Sequence, residues 1–238
     1  MSYTRKNLEK LLKGNSYPGR CIVVGKTSDG KKAVFVYFIM GRSENSRNRV
    51  FAAYGDEIRT EPFDASKVQD PSLIIYSPVK VVGKDVIVTN GDQTDTIEES
   101  LKAGHCFRHG LMKRTFEPDA PIYTPRISAI LHLGKEFNYE MSILKSADSK
   151  GKKCNRYFFA YEGVNGVGHF IHTYKKDGNP PPVFEGEPER VKIPSDPKAF
   201  AEEIWNSLDE NNKISLCCRA IDLKTGACEQ VIYNKFTR

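Results

Sequence analysis

The 238-residue chain reads as an α+β protein built largely from antiparallel sheets, with a few helices layered on them. Three observations predict this. Short runs rich in β-branched and aromatic residues recur along the chain, and turn residues join them as in hairpins. Only a few stretches carry the 3.6-residue apolar period of a helix. Strands and helices do not alternate regularly, which argues against a doubly wound parallel sheet.

The elements follow in order. Thr4 to Lys13 reads as a short helix with Leu8, Leu11 and Leu12 on one face, stopped by Gly14-Asn15. It forms an arm that packs on the domain or on a partner subunit. Arg20 to Lys26 (RCIVVGK) and Lys32 to Met40 (KAVFVYFIM) are strands joined at Ser28-Asp29-Gly30. Gly41 to Asn48 is a polar loop, and Arg49 to Tyr54 resumes as a strand. Leu73 to Val82 and Val86 to Val88 flank a second hairpin turn, Gly83-Lys84-Asp85. After the turn Asn90-Gly91-Asp92, Thr94 or Asp95 caps a helix running to Lys102. Residues 104–121 are mixed, with helix around Arg108 to Lys113. Arg126 to Leu133, Asn138 to Leu144, Arg156 to Tyr161 and His169 to Tyr174 are further strands. Lys175 to Pro194, with its Pro180-Pro181-Pro182 run, is irregular. The best helix spans Ser195 to Leu208, with Ser195 or Asp196 as cap and Pro197 in the first turn. Ile214 to Ile221 and Gln230 to Phe236 close the chain as strands.

Composition narrows the function classes. Hydrophobic residues make up 39%, enough for a real core and far from the disordered range. The longest apolar run, Ala33 to Met40, is far shorter than the roughly 20 residues a membrane helix needs. No uninterrupted apolar segment follows Arg5, Lys6, Lys10 and Lys13 as a signal peptide requires. A soluble, cytoplasmic protein with no membrane partner is expected, organised as one domain over residues 1–238 with a helical extension over 1–15. The net charge of +6 suits an anionic partner. A small phosphorylated metabolite fits better than nucleic acid, because no Lys/Arg block or aromatic-interleaved basic stripe appears.

The six cysteines form no C-x-x-C pair and read as reduced, mostly buried thiols. Gly163 to Gly168 (GVNGVG) follows a strand but opens no helix, so it makes a weak dinucleotide motif. His169 and His172, three apart on a strand, face opposite sides. His105 and His109 share a helical face with Cys106, without a third ligand at metal-site spacing. No metal and no cofactor are expected.

Three polar clusters interrupt the apolar pattern. Gly41 to Arg49 (GRSENSRNR) places three guanidiniums and two amides between strands. It reads either as a solvated loop or as a phosphate site, since Arg forks take phosphate in a bidentate way. Asn90 to Asp95 reads as a turn with a helix cap, or as a polar wall of a site. Thr124-Pro125-Arg126 delivers an arginine at the start of an apolar strand.

Taken together with Arg20 after Gly19, Val23-Val24-Gly25-Lys26, Arg42-Ser43, Asn48-Arg49, Val88-Thr89-Asn90-Gly91, Thr94-Asp95 and Thr124-Pro125-Arg126-Ile127, the ordered set resembles the archaeal IMP cyclohydrolase family. The resemblance covers roughly Tyr17 to Gly163 and includes Tyr76. Arg47 stands where the family typically has proline, and the N-terminal helix and the Pro-rich loop are additions. The resemblance implies a four-layer α/β/β/α sandwich similar to N-terminal-nucleophile hydrolases, a homo-oligomer for which family analogy suggests a tetramer, and no cofactor. It implies closure of formamidoimidazole carboxamide ribonucleotide (FAICAR) to IMP. It assigns Arg20, Arg42, Ser43, Asn48, Arg49, Asn90 and Thr94 to substrate binding. Tyr76 and Arg126 become donors near the reacting oxygen. Asp95 becomes the base or simply a helix cap, with Asp119 or Glu117 next in line. Two rivals remain: an amidohydrolase with Cys21 freed as an N-terminal nucleophile, and a non-catalytic nucleotide- or RNA-binding module.

Overall fold

The computed structural model describes residues 3–68, 71 and 73–237; Met1 and Ser2 of the expected extension lie outside them. The chain runs α1 (Leu8–Lys13), β1 (Arg20–Lys26), β2 (Lys32–Met40), α2 (Glu44–Arg47), β3 (Arg49–Tyr54), β4 (Glu57–Pro62), β5 (Val79–Val82), β6 (Asp85–Thr89), α3 (Gln93–Lys102) and α4 (Phe107–Met112). It continues through β7 (Arg126–Leu133), β8 (Phe137–Ser146), β9 (Cys154–Glu162), β10 (Val167–His172), β11 (Glu189–Lys192), α5 (Pro197–Ser207), β12 (Lys213–Asp222) and β13 (Cys228–Asn234).

The strands form two sheets whose ladders all run antiparallel. One has the order β11-β10-β1-β2-β12-β13; the other is a meander from β3 to β9 in chain order. The α+β class read from the hairpin pattern is borne out. The chain crosses from the first sheet to the second through α2 and returns between β9 and β10.

Strand periodicity explains the layering. In β2, Ala33, Phe35, Tyr37 and Ile39 face the second sheet, in one cluster with Ile127, Ala129 and Leu131 of β7. The alternate residues Val34, Val36, Phe38 and Met40 face away, packing with Leu8 and Leu12 of α1 and Phe200 and Ile204 of α5. A strand covered on both faces reads as a continuous apolar run, as this one does. On the far side, Ile87 and Ile130 of the second sheet pack against Ile97 of α3 and Phe107 and Leu111 of α4. The layers are therefore helix, sheet, sheet, helix. Asn234 fastens one side: its Oδ1 accepts from Phe51 N at 2.9 Å and its Nδ2 donates to Phe51 O at 3.0 Å.

Some local expectations need correction. The N-terminal helix begins only at Leu8, capped by Asn7, because Lys6 bonds in parallel fashion to Val191. The arm packs on α5 of its own chain. Residues 73–78 are not strand: Pro78 cannot donate to a ladder, and Thr60 of β4 instead bonds the Tyr76 carbonyl. The strands β4 and β11 carry no apolar strand pattern: EIRTEP and ERVK each hold three charged residues at half-exposed or exposed positions. The polar loop after β2 contains the single turn α2.

Candidate active site

Hairpin topology brings the end of β2, the starts of β1, β3 and β7, and the ends of β6 and β10 to one end of the sandwich. A cleft of about 310 Å³ opens there. Tyr17, Arg20, Arg42, Ser43, Ser46, Arg49, Glu117, Asp119, Thr124 and Tyr174 are among its lining residues. The volume is at the lower end for small-molecule sites.

Arg20 enters from β1, where Gly19 holds φ at +80°. A Cβ on Gly19 would lie 2.2 Å from Thr173 Oγ1, so glycine is required by both conformation and space. Arg20 donates through Nη1 and Nη2 to the two oxygens of Glu117, both at 2.8 Å, and through Nη1 to Asn90 O at 3.0 Å. The pair is almost fully enclosed. Burial raises the Glu117 carboxyl above the usual carboxylate range, opposed by the charge of Arg20. Against its own burial, Glu117 and nearby tyrosines hold the Arg20 guanidinium above its ordinary value. Such a bidentate pair gives orientation as well as energy.

Arg49, at the start of β3, is 2% exposed. Its Nε donates to Ser46 O and its Nη2 to Ser46 Oγ, each at 2.8 Å. Burial pulls this guanidinium below its ordinary value, with Tyr76 opposing the shift and Arg20 adding to it. Arg42 lies 4.6 Å over the Tyr17 ring and donates through Nη1 to Asp177 Oδ1 and Gly178 O, each at 2.7 Å. Tyr17 stacks on Tyr174, whose hydroxyl is 2.7 Å from Thr124 Oγ1. Tyr76 interacts electrostatically with both Arg20 and Arg49, and its hydroxyl is 2.7 Å from that of Tyr37.

The other anticipated residues divide into two groups. Some buttress the cleft. Asn90 is fully buried, donating to Pro125 O and accepting from Ile127 N and Gln93 Nε2, all at 2.9 Å. Arg126 donates to Gln93 Oε1 at 2.7 Å and pairs with Asp92 at 2.6 Å. Gly91 leaves room for it, since a Cβ there would lie 2.6 Å from Arg126 Nη1. Asp119 lines the cleft, but its carboxylate accepts from both the backbone N–H and the hydroxyl of Thr124. Ser43 caps α2, accepting from Ser46 N at 3.2 Å.

The second group lies outside. Asn48 clasps the Asp64 backbone through two 2.7 Å bonds, so its amide is spent on loop geometry. Thr94 is buried with its hydroxyl on Thr89 and Gly91 O. Asp95 points to solvent, 59% exposed, and pairs with Lys80 Nζ at 2.7 Å. The N-cap position of α3 is Asp92, so neither Thr94 nor Asp95 caps it. Sequence reasoning does not single out Tyr17, Tyr37, Tyr174 or Asp177: Tyr17 and Tyr174 line the cleft, Asp177 meets Arg42, and Tyr37 lies in the core against Tyr76.

Cys21 is fully buried on the face toward α1 and α5, and burial pushes its thiol well up. Cys21, Cys217 and Cys218 are buried, while Cys106 and Cys228 are exposed and Cys154 is half-buried; all six are free. Among the described residues no group of three His, Cys, Asp or Glu could hold a metal ion, and no helix is long and apolar enough to cross a membrane. His105 and His109 stack at 4.2 Å.

A family model described as "IMP cyclohydrolase-like protein" matches residues 17–226. Proteins named IMP cyclohydrolase from three archaea are similar. That of Methanocaldococcus jannaschii is 36% identical over 161 residues, 66% of this chain and 73% of that protein. That of Methanococcus maripaludis strain C7 is 32% identical over 165 residues, 65% of this chain and 79% of that protein. That of Methanococcus aeolicus is 35% identical over 120 residues, 49% of this chain and 58% of that protein.

Proposed function

The chain belongs to the IMP cyclohydrolase-like protein family, and from that premise we propose that it closes FAICAR to IMP with loss of water. The observation that carries the reading is the convergence of Arg20, Arg42 and Arg49 on one cleft with Glu117. The helix-sheet-sheet-helix layering supports a likeness in architecture to N-terminal-nucleophile hydrolases, while the enclosed Cys21 speaks against nucleophile chemistry there. The modest volume of the cleft, about 310 Å³, favours a small ribonucleotide over polynucleotide. A cytoplasmic homo-oligomer, with a tetramer as its form, belongs to the same reading; light scattering of the purified protein tests the assembly.

In this reading the carboxamide nitrogen attacks the formamide carbon, forming the C–N bond while the formyl oxygen gains charge. The resulting carbinolamine loses water to give the aromatic ring. Folding the two groups together supplies much of the acceleration, because both belong to one molecule. Arg42 and Arg49 hold the phosphate. Arg20, committed to Glu117, orients the ring end instead of serving the phosphate. Glu117 takes the base role in place of Asp95, since a carboxylate whose pKa is raised by burial accepts a proton more readily. Tyr76 donates to the formyl oxygen as its charge grows, and Arg126 supports the Asn90–Gly91 wall.

Purified protein mixed with FAICAR, without metal or folate, is expected to form IMP far faster than the spontaneous reaction, followed by ultraviolet absorbance and chromatography. No acceleration by a folded sample overturns the proposal.

A further inference from the structure

The Tyr37–Tyr76 pair holds two hydroxyl hydrogens and one hydrogen bond, at 2.7 Å. One hydrogen is therefore left over, and its location is decided by where it can be satisfied. Tyr37 is 0% exposed, stacked on Phe51 and enclosed by the apolar core between the sheets. Its hydroxyl has no other hydrogen-bond partner among the described residues. Were Tyr76 the donor, the Tyr37 hydrogen would be stranded in that core, where a buried polar group without a partner is costly. Tyr76 is 8% exposed and interacts electrostatically with Arg20 and Arg49, two lining residues of the cleft that offer no acceptor.

We infer that Tyr37 is a positioning residue that donates its hydrogen bond to Tyr76 and so turns the Tyr76 hydrogen toward the cleft. The inference deepens the ring-closure reading and rests on it only for its kinetic consequence. The resulting chain runs from Tyr37 O–H to Tyr76 O–H to the formyl oxygen of the substrate. Accepting a hydrogen bond makes Tyr76 a stronger donor, because successive hydrogen bonds polarise one another. The Tyr37 proton stays on Tyr37 throughout. Burial pushes the Tyr37 phenol well above its ordinary range, which keeps it a donor at every working pH.

Two measurements test this. In steady-state kinetics Tyr37→Phe is expected to lower kcat by about three- to ten-fold, the size of one hydrogen bond, with KM unchanged. Combined with Tyr76→Phe it should add nothing beyond Tyr76→Phe alone, because Tyr37 acts only through Tyr76. A purely structural role would move KM or stability and would multiply with Tyr76→Phe. An unchanged kcat in Tyr37→Phe, or multiplying effects, overturns the inference. Neutron diffraction of the deuterium-exchanged wild-type protein reads the same point without turnover. A deuteron on Tyr37 Oη directed at Tyr76 Oη supports the inference, and one on Tyr76 directed at Tyr37 overturns it. A wild-type protein inactive on FAICAR would sink the ring-closure reading alone, leaving the neutron result to decide the hydrogen-bond direction.

Discussion

At the scale of single residues, what matters is whether a side chain keeps polar capacity for a ligand after the fold has used it. Arg49 spends two donors on Ser46 and still lines the cleft, whereas both amide ends of Asn48 are consumed by Asp64. Arg49→Ala is accordingly expected to raise KM by roughly ten-fold or more with little change in kcat, in line with the loss of a charge-assisted bond to phosphate. Steady-state kinetics checks this; a fall in kcat alone would contradict it. Asp95→Asn should leave kcat and KM within about two-fold, because the carboxylate meets only Lys80 at the surface and such pairs contribute little. A large loss of turnover would restore Asp95 as a participant. Residue types and order pointed to Arg20, Arg42 and Arg49 from the sequence alone. Tyr37 did not stand out, because an aromatic in the middle of VFVYFIM is indistinguishable from core until its hydroxyl partner is placed opposite.

At the scale of elements, α1 and α5 show how local signals and packing divide the work. Asp196 caps α5 through bonds to Lys198 N and Ala199 N at 2.9 and 3.0 Å. Pro197 follows in the first turn, and both features were legible in the sequence. The six-residue α1 is too short to persist by itself. It exists because Leu8 and Leu12, each 2% exposed, pack beside α5 on the outer face of the first sheet. Leu12→Ala should cost about 2–4 kcal/mol, the usual loss for a buried leucine. Urea denaturation measures it, and a change below about 0.5 kcal/mol would show that α1 packs weakly. The strands β4 and β11 escaped the sequence reading for the complementary reason: their pairing depends on neighbours, and their own composition resembles loop.

At the scale of the whole molecule, the core between the sheets also fixes a pH response. His169 of β10 stacks on Tyr161 of β9 at 3.5 Å and its Nδ1 lies 2.6 Å from the Tyr139 hydroxyl of β8, so it bridges the two sheets. Burial, aided by Arg190, lowers its pKa to about 4. The unfolded chain takes up this proton near pH 6.5. Between those values the unfolded state binds more protons, so stability present above about pH 6.5 falls as pH drops toward about 4 and is flat below for this group. Denaturation midpoints at pH 7 and pH 5 should differ in that direction. His169→Gln, which keeps an acceptor for Tyr139, should reduce the difference; an unchanged difference would assign the response to other groups.

The antiparallel α+β class, the main helices and the arginine set of the cleft are legible in the chain alone. These are written in local periodicity, turn chemistry and residue order, which act over a few neighbouring positions. Tertiary packing sets the rest: Glu117 binds Arg20, Asp177 meets Arg42, Tyr37 meets Tyr76 and Asp95 faces solvent. Those pairings join residues from 39 to 135 positions apart for the three contacts. Their geometry is set by strand register and by how two sheets stack, neither of which leaves a local signature in the chain.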